Sequence, residues 1–196
     1  MNAEQIKQLQ LRLGAAADGE VGPGTLRALF QRFGANVDRA VDLGISAAVH
    51  FNTYGILLGD GLRLAHFMAQ VAHESGGFKY MEEIASGQAY EGRKDLGNTQ
   101  PGDGVRYKGR GPIQCTGRAN YRTFGRKIGI NLERYPEMAA NPSIGLHIAC
   151  VYWGDRNLNA LADNDDVVAI TKRVNGGTNG LDDRKAQLAK AKALLL

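Results

Sequence analysis

Residues 62–75 carry the strongest helix signal in the chain, and that helix stops on a glutamate followed by two glycines. Leu64, Phe67, Met68, Val71 and Ala72 share one stripe of a helical wheel, so the helix must be buried on that side. His73-Glu74-Ser75-Gly76-Gly77-Phe78 then closes it, the paired glycines acting as the stop. Glu74 stands at the edge of the apolar stripe, in the partly desolvated setting that a general acid needs. A solvated helix-end glutamate is the plain alternative, but the helix dipole disfavours a negative charge there, so stability gives little reason for the residue. Glu83 follows nine residues later. On one continuous helix it would face away from Glu74, about 13 Å further along the axis. A fold-back at Gly76-Gly77 instead lets two carboxylates face each other across a cleft, as glycosidic-bond hydrolysis requires. Glu82 competes with Glu83 for the second role; adjacent side chains point in different directions, and the residues alone leave the two even.

A glycine-rich polar stretch lies downstream: Tyr107-Lys108-Gly109-Arg110-Gly111-Pro112-Ile113-Gln114-Cys115-Thr116-Gly117, then Asn120-Tyr121. Its glycines permit close backbone approach to a ligand. Gln114, Thr116 and Asn120 offer hydrogen bonds to hydroxyls, N-acetyl groups or a catalytic water. A phosphate-binding loop is the rival reading, but the stretch lacks the strand-then-helix context and the Gly-Lys-Ser/Thr ending. The preceding segment, Ser86 to Gly111, reads as a long loop, and its Tyr90, Arg93, Asp95, Arg106, Tyr107 and Arg110 mark it as functional. Asn175-Gly176-Gly177-Thr178-Asn179-Gly180 forms a second tight polar loop.

The remaining pattern is helical. Helices are expected near 4–13, after Thr25, over 36–50 with Val37, Val41, Ile45 and Val49 recurring every four, and over 117–128, 142–153, 163–174 and 182–195. Strand signal is confined to a short hairpin near Tyr107 and Ile113. The fold class is therefore all-α with long loops. Residues 1–34, a helix-loop-helix around the turn Asp18 to Gly24, are too few to fold alone and should pack on 35–196. Cys115 and Cys150 read as a free, buried pair, and His50, His66, His73 and His147 are too scattered for a metal cluster. A net charge of +4 and a pI of about 9.1 suit approach to a polyanion. No lysine-arginine stripe with interleaved aromatics points to nucleic acid. Apolar segments are too interrupted for membrane insertion. The C-terminal basic helix reads as a solvated face, and the polar N-terminus lacks the marks of a secretory signal.

Taken together, the 73–78 motif, the Tyr107–Tyr121 motif and Asn175-Gly176-Gly177 resemble glycoside hydrolase family 19, the chitinase family whose phage and bacterial branch serves as endolysins. The resemblance spans about residues 36–196. It implies a two-lobed lysozyme-like fold and an inverting mechanism with no metal or other cofactor. It implies Glu74 as general acid, Glu83 as general base in preference to Glu82, and Thr116 as holder of the water. Gln114, Asn120 and Asn175 match sugar-binding positions, with His73, Tyr107 and Tyr121 in the same motifs, and Arg184 matches a buried arginine that organises the carboxylates. Two departures stand out: a short segment between Glu83 and Tyr107, and Cys115 at a usually aliphatic position, which we read as buried packing. Leu9-Gln10-x-Arg12-Leu13 and Asp18-Gly19-x-x-Gly22-Pro23-x-Thr25 resemble a small peptidoglycan-binding module in abbreviated form.

The expectation is a monomeric endolysin that cuts β-1,4 bonds of peptidoglycan, made in the host cytoplasm and reaching the wall through a holin. The alternatives are a chitinase, a lytic transglycosylase needing only Glu74, and a non-catalytic wall-binding protein.

Overall fold

The computed structural model describes residues 1–196 as an all-helical chain. Its helices are α1 (Ala3–Leu13), α2 (Pro23–Arg32), α3 (Val37–His50), α4 (Leu62–Glu74), α5 (Asp103–Arg106), α6 (Arg118–Ile128), α7 (Pro142–Asp155), α8 (Leu158–Asp163), α9 (Val167–Asn175) and α10 (Leu181–Leu195). Short 3-10 turns occupy Gln88–Tyr90, Lys94–Leu96 and Pro136–Ala140. The hairpin expected near Tyr107 and Ile113 reduces to isolated bridges, Arg110 with Cys115 and Glu82 with Arg110. No helix is long and apolar enough to cross a membrane.

Helix α4 is the axis of the core: every residue from Leu64 to Ala72 is buried. A helix covered on all sides needs neighbours on all sides, and α10 and α8 supply them, with α7 beyond. Phe67 of α4 meets Phe51 at 5.1 Å and Trp153 of α7 at 5.3 Å, both edge-on, the geometry aromatic quadrupoles favour. Side-chain caps begin several helices: Asn2 forms a capping box with Gln5, and Asn36, Asn141 and Asp166 accept backbone N–H groups at the starts of α3, α7 and α9.

One apolar stripe turns outward here, and one expectation changes. The apolar stripe on α3 faces solvent: Val37, Val41, Ile45 and Val49 are 61%, 37%, 51% and 61% exposed. The buried face is Ala40, Leu43, Gly44 and Ala47. At Gly44 α2 crosses α3 too closely for a side chain; a Cβ there would sit 2.8 Å from the Arg27 nitrogen and the Pro23 oxygen. The helix expected over 163–174 begins only at Val167, as α9, and the chain before it belongs to a separate short helix, α8, that ends at Asp163. Asp165 breaks it with a left-handed φ of 56°, and Asp166 caps the next helix by accepting the Ala169 N–H.

Residues 1–34 share the core with everything that follows. Leu9, Leu26, Leu29, Phe30 and Phe33 belong to one continuous apolar cluster with the α4 and α7 side chains. Arg12 donates to the Leu194 carbonyl at 2.9 Å. Gly34 and Gly77 meet backbone to backbone, where a Cβ on either would lie within 2.9 Å of the opposing chain.

The segment bearing α5 and α6 is held by ion pairs. Asp103, 1% exposed, accepts two donors from Arg118 and the backbone N–H groups of Thr99 and Gln100. Glu133 takes both Arg122 and Arg118, and their donated hydrogen bonds hold its carboxyl at about 2.

Two measurements follow from this packing. Gly44→Ala should destabilise by about 2 kcal/mol, a melting-temperature drop of roughly 4–8 °C for a chain this size, with turnover unchanged. Glu133 is depressed in the folded state, so its ion pairs stabilise above its unfolded value near 4.5 and are lost as pH falls through about 2. The melting-temperature gap between wild type and Glu133→Gln should therefore be widest above pH 5 and close towards pH 2.

Candidate active site

The chain reverses after α4 through three consecutive left-handed residues, Gly76, Gly77 and Phe78, with φ of 58°, 71° and 62°. For phenylalanine that backbone costs roughly 1–3 kcal/mol. Burial offsets it: the Phe78 ring is fully enclosed and meets Phe30 edge-on at 5.1 Å. Ser75 Oγ accepts the Phe78 N–H at 2.8 Å, and Arg39 donates to the Phe78 carbonyl. The reversal lays 81–83 beside 109–111, where Glu83 N donates to Gly109 O and Gly111 N to Met81 O, each at 2.9 Å.

Gly109 is the point on which one group of expected residues converges. A Cβ there would lie 2.7 Å from Gln114 Oε1, 3.2 Å from Glu83 Oε2 and 3.3 Å from Thr116 Oγ1. Glu83 Oε2 accepts the Gly109 N–H at 3.1 Å, and Oε1 accepts the Tyr90 hydroxyl at 3.0 Å. Burial and the neighbouring Glu83 carboxylate both push the Tyr90 hydroxyl above its ordinary pKa, so it stays a donor. Thr116 spends its hydroxyl proton on the Gln114 carbonyl at 2.9 Å, leaving its oxygen free to accept. Asn120 donates to the Thr116 carbonyl at 2.8 Å. Gln114 itself has a left-handed φ of 52° and donates to Gly111 O at 3.0 Å.

Glu82 and Glu83 separate clearly. Glu82 is exposed and sits between Arg110 at 3.1 Å and Lys108 at 3.2 Å. Burial pushes its carboxyl up, but hydrogen bonds and charge from Lys108 and Arg110 outweigh it and hold the group below its usual range.

Glu74 lies in the second group. Its side chain is 20% exposed and accepts a hydrogen bond from Arg184 of α10, itself 2% exposed. The other arm of that guanidinium donates to Gln70, buried one turn before Glu74. The edge of the apolar stripe thus also carries a buried cation, a neighbour that the stripe alone did not announce. His73 pairs through Nδ1 with Asp183 at 2.6 Å, and its ring is pressed so close to Gly180 that a Cβ there would lie 2.4 Å away. Asn175 knots its own loop, donating to Asn179 O and accepting from Gly177 N.

Tyr107 and Tyr121 correct the expectation that both contact sugar. They are 1% and 0% exposed. Tyr107 donates to the Glu133 carbonyl at 2.9 Å; Tyr121 donates to Lys108 O at 2.7 Å and accepts from Arg110 at 3.0 Å. They support the 107–110 backbone from beneath. Both cysteines are free and buried, and burial pushes the Cys115 thiol up to about 12, a packing group rather than a nucleophile. Sequence reasoning missed Gln70 and the specific role of Tyr90. Gln70 carried a signal, being a lone amide within an apolar helix four residues before Glu74.

The structure therefore offers, in two groups, a carboxyl beside a buried guanidinium and, around Gly109, a carboxylate fixed by two donors with a hydroxyl oxygen free to accept a hydrogen bond from water. That is the equipment for acid-base cleavage of a glycosidic bond.

Comparison with known proteins gives the same direction. The profile of the glycoside hydrolase family 19, chitinase class I, matches residues 40–173. A glycosyl hydrolase family 19 domain-containing protein of Haemophilus influenzae is 33% identical over 155 residues, covering 63% of this chain and 75% of that protein. An endochitinase of Arabidopsis thaliana is 38% identical over 115 residues, 58% of this chain but only 39% of the plant enzyme. In fold, chitinase C of Streptomyces griseus superposes with a TM-score of 0.68 at 23% identity, over 86% of this chain and 91% of that one. A class IV chitinase of Zea mays gives 0.67 at 23% identity, over 89% and 92%.

Tyr90→Phe should lower kcat on a soluble N-acetylglucosamine oligosaccharide by about tenfold, the worth of one hydrogen bond to a charged group. KM and melting temperature should hold.

Proposed function

The chain belongs to glycoside hydrolase family 19, and from that premise we propose that it is an endolysin hydrolysing the β-1,4 bonds of peptidoglycan glycan strands with inversion. A chitinase-type glycosidase acting on a polysaccharide is the activity of the family; the wall substrate and the lytic role are our reading. In it Glu74 protonates the leaving oxygen, with Arg184 and Gln70 fixing its orientation. Glu83 takes a proton from a water that also donates to Thr116 Oγ1, and that water attacks the far face of the sugar in one displacement. Gln114, Asn120, Asn175 and His73 border the sugar path, and Tyr90 and the Gly109 N–H hold Glu83 in place.

The observation that carries the wall reading is at the N-terminus. The residues resembling a peptidoglycan-binding module are joined in one hydrogen-bonded unit, which supports that reading. Gln10, fully buried, donates to Asp18 at 2.6 Å and Thr25 at 2.9 Å and accepts the Gly19 N–H at 2.9 Å. Beside it runs a groove of about 390 Å³ lined by Leu13, Ala15, Asp18, Pro23, Arg27 and Gln31, among others. We place wall binding there. Chitin is the second reading, favoured by the endochitinase relatives.

Digestion of purified peptidoglycan by wild type, Glu74→Gln and Glu83→Gln, with mass spectrometry of the products, tests the proposal. Wild type should release reducing-end muropeptides, initially as the α-anomer, and each variant should lose about 10²–10⁴ in kcat. Anhydro products, or an active Glu83→Gln, would overturn the inverting mechanism. Turnover of chitin oligosaccharides alone would move the substrate to chitin.

A further inference from the structure

Five arginines that are scattered in sequence gather on one face of the protein. Arg118, Arg122 and Arg126 recur every four residues and so share one side of α6. Arg106 ends α5 and Arg134 follows α6 in the chain. Together they line two adjoining grooves of about 780 and 380 Å³, which share Asn131 and Glu133. On α6 this face is turned about 160° from Asn120, so it is distinct from the acid-base centre.

Two of the five are committed to structure. Arg118 is held by Asp103 and Glu133, and Arg122 by Glu133. The other three meet no carboxylate. Arg106 donates only to the Glu133 and Arg134 carbonyls and the Tyr107 hydroxyl. Arg134 lies over the ring of Tyr135, 5.3 Å from its centre, and that ring is 44% exposed. Arg126 is exposed and unpaired. At the junction of the grooves Asn131 accepts the Arg134 N–H, which leaves its amide N–H₂ open. The two uncommitted guanidinium forks of Arg126 and Arg134, an amide donor and an exposed aromatic ring are a receptor for carboxylates carried on a sugar polymer.

We infer that this arginine-lined face is an accessory site for the stem-peptide carboxylates of peptidoglycan, separate from the acid-base centre and selecting charged wall over uncharged chitin. The inference rests on the peptidoglycan reading above. Charge density selects this partner over nucleic acid. Duplex DNA presents a charge about every 1.7 Å, and the partly exposed Glu133 carboxylate, set between Arg118 and Arg122, opposes such a dense run. A polymer with one peptide on every second sugar places its carboxylates sparsely enough to meet the free arginines and pass that acid.

The test uses the full chain with Glu74→Gln, so that purified sacculi stay intact while binding is read by co-sedimentation. Adding Arg126→Ala and Arg134→Ala should weaken binding about tenfold and flatten its salt dependence. Sacculi whose carboxylates have been converted to amides should lose the same factor with no change to the protein. With Glu74 intact, the arginine pair variant should cleave a soluble chitin oligosaccharide at the wild-type rate. Equal binding of amidated and native sacculi, or of variant and parent, would overturn the accessory site, as would stronger retention on duplex DNA than on sacculi. Cleavage of sacculi by the enzyme with all arginines present is read separately, and its absence would remove the peptidoglycan reading itself.

Discussion

A single buried guanidinium ties the Glu74 helix to the last helix of the chain. Arg184 has almost no contact with water, and an unpaired charge in that position would be strongly destabilising. It is tolerated because Gln70 and Glu74, one turn apart on α4, receive its two arms. The docking of α10 on α4 and the orientation of the Glu74 carboxyl are thus one constraint. His73 to Asp183 adds a second tie between the same helices, one residue away on each. Stability and chemistry draw on the same atoms here, so a carboxyl that a dipole argument marks as unfavourable at a helix end has a structural reason to be there.

The other half of the site depends on a backbone decision. Three left-handed residues in succession turn the chain so that the Glu83 segment lies beside Gly109. Glycine takes the first two positions without strain, and Phe78 is forced into the third by the enclosure of its ring. Gly109 then brings the carboxylate, the Thr116 hydroxyl and the Gln114 amide to one small volume because it has no side chain of its own. Two carboxylates nine residues apart are placed by different devices, one by a buried ion pair and the other by a turn and a missing Cβ.

Much of this was legible in the sequence, for identifiable reasons. The period of α4, the double-glycine stop and the polar loop after Tyr107 are local signals, and each stands where the pattern placed it. The burial of Tyr107 and Tyr121 was not legible, because an aromatic in a polar motif reads the same whether it lines a site or supports it from below. The valine stripe of α3 marked the helix but not its covered side: periodicity finds a face without saying whether it is buried, and the buried face holds Ala40, Leu43, Gly44 and Ala47. The choice between Glu82 and Glu83 needed tertiary contacts, since only folding brings Lys108 and Arg110 to the first and Tyr90 to the second.

The meeting of Gly34 with Gly77 has a consequence for how such a protein can be taken apart. The boundary between residues 1–34 and 35–196 is the point where the front of the chain touches the turn behind Glu74. A protease nick or a gene-shuffling junction placed there would strip Phe30 from the ring of Phe78 and loosen the reversal that presents Glu83. The first 34 residues are thus part of the packed frame that holds the turn after α4 closed.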